Sequence, residues 1–393
     1  MSKNEVMHYN IDKADKTGAL FTIIYGQRSN GKSYQVKHKK GIEMYVNGGN
    51  NYLYEYTDIN KLITINIKKG SRFILVRRLL EEVSNNKVEQ YFKDVDVEKI
   101  TNKKYNCIKC QAGQIFLANW FFDDKDKRPK FKMGELIGYV IPLSLEQNYA
   151  GGSYLDVDDI IMEECMSRKI YLHNEPDKLI NLWSTVDRDR GTTRLWLVGN
   201  TISKICPYLT DWGLQKLMKN QKQGEIRSTW LSTGKIDKDG REVKVKLAIE
   251  YCIDYGGKGL AIGKHATMLN TGSWQTDPQP HLPKSRKLYD LLYRVIFMYQ
   301  TYKFIGEYLF DKENNSTIWF IYPYDGEIKE NTLVFSDEIK PSPYWQRNIY
   351  DLNINNDNLK KLLYNTFREN RIFYADDECG TDFKQVIDFD IKR

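Results

Sequence analysis

The sequence predicts an α/β protein: a phosphate-loop NTPase domain on a mostly parallel sheet, then a polar, basic segment and a C-terminal α+β domain. Three observations lead there. Gly26-Gln27-Arg28-Ser29-Asn30-Gly31-Lys32-Ser33 is a full Gly-x-x-x-x-Gly-Lys-Ser phosphate loop. It sits between an apolar, β-branched run over 20–25 and a stretch over 34–45 that can continue as a helix. That order aims backbone N–H groups and a helix N-terminus at phosphates. Further buried-strand candidates alternate with helical spacing downstream, the pattern of a parallel sheet.

The elements follow in order. Residues 72–76 form a second buried strand ending at Arg77-Arg78, and 79–92 reads as a helix. Residues 105–120 and 136–142 read as antiparallel strands around the charged loop 123–128. A third buried strand covers 157–162, and Leu179, Ile180, Leu182 and Trp183 space a helix over 177–186. A fourth strand covers 194–199. Past Pro207 the chain turns polar and basic, with the turn 237–240 joining two strands. A weakly structured stretch over 256–283 ends in the breaker-rich run Asp277-Pro278-Gln279-Pro280-His281-Leu282-Pro283, a domain boundary. Beyond it come a helix over 288–299, strands over 304–310 and 317–322, a helix over 359–367 and an acidic tail. The expected domains are therefore 1–208, 209–282 and 283–393.

The composition bounds the function class. With 41% hydrophobic and 28% charged residues the chain suits a folded soluble protein. No apolar run approaches the roughly 18 residues needed to span a bilayer. Met1 to Glu5 lack an apolar core behind them, so neither signal peptide nor membrane is expected. Six scattered cysteines fit a reducing compartment, and Cys107-x-x-Cys110 has no second pair at zinc spacing. The net charge of +7 is uneven: 283–393 carry −2, leaving +9 on 1–282, and 212–246 alone hold +5. Such a field suits a polyanion partner as well as solubility.

The chemistry gathers at the strand ends. Lys32 would reach the β- and γ-phosphates of ATP or GTP, and the Ser33 hydroxyl would ligate Mg²⁺. The strand over 157–162 ends in Glu163-Glu164. Paired acids there assign Glu163 to the magnesium shell and Glu164 to orienting or deprotonating the attacking water. Asn200 ends the fourth strand, where a polar group can sense the γ-phosphate. On residues alone, Asp187-Arg188-Asp189-Arg190 reads as surface arginines paired to their neighbours. Asp254 resembles the strand-borne aspartate of metal-dependent nucleases, but one carboxylate is not a two-metal site.

Together these residues resemble the φ29-type phage packaging ATPases, ring motors that drive double-stranded DNA into proheads. The resemblance covers most of 20–210. It rests on the phosphate loop running into Tyr34, on Val76-Arg77-Arg78, on Ile141-Pro142-Leu143-Ser144, on Thr185 to Arg190, and on Asn200 and Pro207-Tyr208. It implies a five-membered homo-oligomeric ring at the portal vertex of a prohead in the host cytoplasm. It also implies a small linker or lid domain over 209–282 and a C-terminal domain with a degraded, RNase H-like nuclease fold. In that family Arg188 would match the finger reaching a neighbouring subunit's ATP, and in φ29 a scaffold RNA joins motor to portal. Glu163 replaces the usual metal-shell Asp, so its Mg²⁺ contact can run through water. Similarity fades beyond residue 210.

Two other readings compete. A helicase or large terminase with a live nuclease needs converging carboxylates, and Asp311, Asp325, Asp376 and Asp377 show no such grouping. A nucleotide-gated scaffold would have no need of Glu164.

Overall fold

The computed structural model describes residues 9–27, 30–47, 52–58, 61–67, 71–122, 129–167, 171–201, 206–218, 221–236, 238–253, 278–299, 302–336, 340–346 and 358–391. The chain divides into two compact units, 1–201 with 211–273, and 202–210 with 274–393.

The first unit is a mixed α/β body. Its strands are β1 (Phe21–Gly26), β2 (Tyr52–Asp58), β3 (Lys61–Ile67), β4 (Arg72–Arg77), β5 (Cys107–Gln111), β6 (Gln114–Phe122), β7 (Pro129–Pro142), β8 (Val157–Glu163), β9 (Arg194–Asn200), β10 (Ile226–Ile236) and β11 (Glu242–Tyr251). Nine of them make one sheet in the order β10-β11-β1-β9-β8-β4-β7-β6-β5, while β2 and β3 pair as a separate hairpin. The six strands from β11 to β7 are mutually parallel, and β10, β6 and β5 add antiparallel edges. β1 and β8 are buried along their whole length. Strands covered on both faces read as continuous apolar runs, which is why sequence alone located them. Ile24, Val36, Phe73, Ile161 and Trp196 knit the core, where each fully buried large apolar side chain contributes about 1.5–3 kcal/mol.

The second unit holds β12 (Tyr289–Tyr299), β13 (Tyr302–Asp311), β14 (Ser316–Pro323), β15 (Leu333–Ser336), β16 (Trp345–Gln346) and β17 (Ile372–Tyr374). The sheet order is β16-β15-β12-β13-β14-β17. Strands β12, β13 and β14 form an antiparallel meander, and the other three join in parallel. Phe297 and Phe335 stack at 5.3 Å over the helix residues Phe367 and Phe383. Gly306 is required there, since a Cβ would lie 2.6 Å from the Phe297 ring.

Several expectations change. Of residues 288–299, expected as a helix, Tyr289–Tyr299 form β12, because its β-branched and aromatic residues find a ladder on β13. Residues 105–120 break into β5 and β6 at Ala112-Gly113, both with positive φ. The 79–92 helix reduces to a short turn, Leu80–Val83, and a helix, Asn85–Tyr91. The acidic tail is the helix Asp377–Ile391. The strands expected in a separate 209–282 domain instead complete the large sheet, with β11 lying parallel to β1. That pairing joins residues some 225 positions apart, which local patterning cannot register. Loop 123–128, most of 256–283 and Asp254 lie outside the described residues, as do Arg168 and Lys169, expected beyond Glu163-Glu164 as candidate DNA contacts.

Candidate nucleotide site

The C-terminal ends of β1, β9, β8 and β4 bring the phosphate loop, Asn200, Glu163-Glu164 and Arg77 to one side of the sheet. Gly26 ends β1 beside Cys252, the residue that follows β11; a Cβ would meet the Cys252 Cβ at 3.0 Å. Gly31 takes φ +92°, a left-handed conformation that favours glycine, and opens the helix Lys32–Val36. Arg28 and Ser29 lie outside the described residues.

Lys32 is buried under the loop. Its Nζ donates to the Gln27 carbonyl and to Asn200 Oδ1, both at 2.7 Å. The Asn30 side chain accepts from the Lys32 backbone N–H at 3.2 Å. Asn200 is thus in direct contact with the phosphate-loop lysine.

Ser33 Oγ donates to Glu163 Oε2 at 3.1 Å, and the Tyr91 hydroxyl donates to Glu163 Oε1 at 2.6 Å. Glu163 is 5% exposed. Burial raises its carboxyl above the usual range, against the hydrogen bonds from Tyr91 and Ser33 and the charges of Arg77 and Lys32. A buried carboxylate touching a serine hydroxyl is an all-oxygen donor set that suits Mg²⁺, which keeps several waters and needs few protein ligands.

Glu164 faces the other way. It leaves β8 with φ +58°, a costly conformation for a non-glycine residue, and its side chain is 54% exposed. Arg77 Nη2 lies 3.3 Å from Glu164 Oε2 and 3.7 Å from Glu82 Oε1. Arg78 serves the frame instead. It grips buried Glu175 at 2.7 and 2.8 Å and donates to the Glu164 carbonyl at 3.2 Å, fixing the turn that presents Glu164.

Arg188 is elsewhere. It follows the helix Glu175–Asp187 and donates to the Gly152 carbonyl at 2.7 Å. Arg190 donates to the Val157 and Leu155 carbonyls at the N-terminal end of β8. Glu163 is at the opposite end, six residues away, or roughly 20 Å. Within its own chain the Arg188 guanidinium is engaged at Gly152. Arg190 is a staple, also binding the Asp187 and Val186 carbonyls and Thr193 Oγ1. Asp187 is buried and accepts from the backbone of Gly191, Thr192 and Thr193, so it shapes the turn rather than pairing with Arg188. Lys235, in the exposed β10–β11 hairpin, pairs with Asp189 at 2.8 Å.

Tyr91 and the charge role of Arg77 were missed in sequence. Tyr91 carries no motif, and its hydroxyl, raised above its ordinary value by burial and then by Glu163, meets the site only through the tertiary fold. Cys107 and Cys110, three apart on β5, project to opposite faces of the strand, which does not suit a shared metal.

This arrangement meets a specific match in known families. The Podovirus DNA encapsidation protein (Gp16) family model matches residues 2–221, more than half of the chain. The chain belongs to that family. Within it, the DNA packaging protein of Bacillus phage phi29 is 28% identical over 211 residues, 53% of this chain and 51% of that protein. The DNA packaging protein of Bacillus phage B103 is 29% identical over 198 residues, 50% of this chain and 48% of the other. These alignments span about half the length of the curated relatives. A chain of the bacteriophage phi29 viral genome packaging motor assembly superposes with TM-score 0.53 at 20% identity, covering 98% of both chains, and supports the fold. Among the described residues, no helix is long and apolar enough to cross a membrane.

Proposed function

We propose that this encapsidation-family protein is an ATP-driven translocase that packages viral double-stranded DNA into a phage prohead, with ATP hydrolysed at the subunit interfaces of a homo-oligomeric ring. The observation that carries the reading is the Ser33–Glu163 contact directly beside Glu164, at the mouth of a complete phosphate loop.

Mg²⁺, when bound, would supply positive charge against the charge that develops on the phosphates. Ser33 and Glu163 would hold it, with water completing the shell. Gly26 to Ser33 would cradle the phosphates through backbone N–H groups. Lys32 would exchange its bond to Asn200 for one to the β- and γ-phosphates, leaving Asn200 to sense the γ-phosphate. Glu164, exposed and held by Arg77, would orient and deprotonate water. Arg188 is engaged at Gly152, and its neighbour Arg190 at the start of β8, whose other end, roughly 20 Å along the strand, carries Glu163; this supports a finger acting in trans. A ring at the portal vertex in the host cell, five-membered by resemblance, supplies the neighbour; a scaffold RNA would be a further partner.

The second unit supports a nuclease-like fold without nuclease chemistry. A three-strand meander whose first strand gains parallel neighbours is an RNase H-like arrangement. Glu307, Asp311, Asp376 and Asp377 each have their own partners. Glu307 is held by Arg286 and Arg294, each at 2.6 Å. Asp311 caps the turn at Asn314, Asp376 caps the last helix at Cys379, and Asp377 pairs with His281.

The test is DNA-stimulated ATP turnover. Lys32→Ala should abolish nucleotide binding and turnover, whereas Glu164→Gln should bind ATP and lose hydrolysis by roughly 10²–10⁴. Wild-type turnover in Glu164→Gln would return the catalytic role to Glu163. Absence of turnover in the wild-type chain on DNA would favour the scaffold, and plasmid cleavage with Mn²⁺ would favour the terminase.

A further inference from the structure

The segment just before β1 is tied to the phosphate loop and to the sheet and helical turn around it. The Tyr9 backbone N–H donates to the carbonyl of Asn30, inside the loop, at 3.0 Å. Its hydroxyl donates to Glu250 Oε2 on β11 at 2.6 Å. Asp15 pairs with Lys40, beyond the loop's helix, at 2.7 Å and with Arg194 on β9, while Asp12 pairs with Lys39. Ile11 and Ala14 are fully buried beneath these contacts. Residues 9–15 thus clasp the loop at Asn30, the helical turn beyond it at Lys39 and Lys40, and the strands β11 and β9.

Tyr9 is the point where the clasp meets the loop. It is 2% exposed and Glu250 is 4% exposed, so their hydrogen bond is made away from water. Glu250 stands level with Ile24 on β1, two residues before the loop begins. The hydroxyl therefore anchors Tyr9 to the rigid sheet, and the Tyr9 backbone holds Asn30 in turn. Asn30 Oδ1 accepts from the Lys32 N–H, so the position of Asn30 bears directly on the residue that meets the phosphates. A phosphate cradle gains affinity from loop amides already aimed before the ligand arrives, since ordering them on binding would cost free energy.

We propose that Tyr9 is a positioning residue for the nucleotide, holding the phosphate loop in its binding conformation through the Asn30 carbonyl and Glu250. The inference rests on the nucleotide reading of the site. It places Tyr9 in no chemical step: its role is to set affinity for the triphosphate, leaving turnover at saturation to Glu164.

The test is equilibrium binding of a fluorescent ATP analogue to the full chain, with Lys32→Ala as the control. Tyr9→Phe removes only the hydroxyl and should weaken binding about tenfold, the equivalent of one lost hydrogen bond, with kcat at saturating ATP unchanged. Glu250→Gln keeps an acceptor for the hydroxyl and should bind as the wild type does. Glu250→Ala removes the acceptor and should reproduce the Tyr9→Phe loss, which keeps the proposal open to test if Tyr9→Phe folds poorly. Amide hydrogen exchange in folded Tyr9→Phe should quicken in 26–33 and not in β4 or β8. Binding within twofold of wild type in Tyr9→Phe or Glu250→Ala would overturn the inference, as would faster exchange spread evenly over the sheet. A wild-type chain that binds no more nucleotide than Lys32→Ala would overturn the nucleotide reading itself, and this inference with it.

Discussion

Arg77 and Glu164 face each other at 3.3 Å across the ends of two neighbouring strands, β4 and β8, and the guanidinium also lies 3.7 Å from Glu82. The pair half-faces solvent, with Glu164 54% exposed, so it contributes at most about 1 kcal/mol to stability. Its consequence is orientation. Arg77 sets where the outward-turned carboxylate points, and Arg78 sets the turn from which it points.

Arg77→Ala should therefore leave thermal stability nearly unchanged and lower ATP turnover by about tenfold or more, because a misdirected base loses the alignment that makes proton transfer effective. Steady-state kinetics beside a melting curve measures both. Wild-type kcat in Arg77→Ala would show that Glu164 is held by something else.

Asp159, buried on β8, offers a test by pH. Burial pushes its carboxyl up to about 6, against the pull of Lys40 and a 2.6 Å hydrogen bond from Trp196 Nε1. The folded chain then keeps this proton to higher pH than the unfolded chain, where a carboxyl titrates near 3.8. Stability contributed by this group is full below about pH 4, declines as pH rises to about 6, and stays reduced above. Asp159→Asn removes the buried charge and keeps an acceptor for Trp196. It should raise stability by about 1–3 kcal/mol at neutral pH and change little at pH 4, read by denaturant melts. Equal effects at both pH values would contradict the burial argument.

Arg188→Ala should bind ATP and turn it over by roughly 10³ less. Mixed with Glu164→Gln, itself inactive, it should recover part of the activity, because some interfaces would combine an intact Glu164 with a neighbour's intact Arg188. No recovery in rings shown to hold both variants would count against the trans role, and full activity in Arg188→Ala alone would eliminate the finger.

DNA affinity should be nearly independent of sequence and fall by about 10² or more between roughly 50 and 200 mM salt, as several phosphate contacts release counterions. The basic stretch over 212–246 is a partial candidate only. Arg227 is held by Glu225 at 2.7 Å, Lys246 by the Thr17 carbonyl at 2.6 Å, and Lys235 by Asp189. Charge reversal at Lys238 and Lys244 in the exposed hairpin tests its share. A flat salt response would exclude phosphate-led binding.

The order of strand, loop and helix around Gly26 to Ser33, the acids ending β8 and the polar residue ending β9 were all legible in the sequence. Each is a local pattern: a buried strand is a short apolar run, and a strand end is where that run stops. Lys32, Ser33, Glu163, Glu164 and Asn200 could be named for that reason. What the tertiary structure decided depends on which distant strands become neighbours. Only the sheet order sets Tyr91 on Glu163, Arg77 on Glu164, and Tyr9 between Asn30 and Glu250. Only the tertiary structure engages Arg188 at Gly152 and Arg190 at the start of β8, the end of that strand opposite Glu163. The apolar run over 289–299 fits a helix or a strand until β13 offers its ladder, and the 226–251 strands pass for a separate domain until β1 takes β11 as a partner. Local composition writes the elements; hydrogen-bond pairing between residues far apart in the chain chooses their neighbours, and the site is made of neighbours.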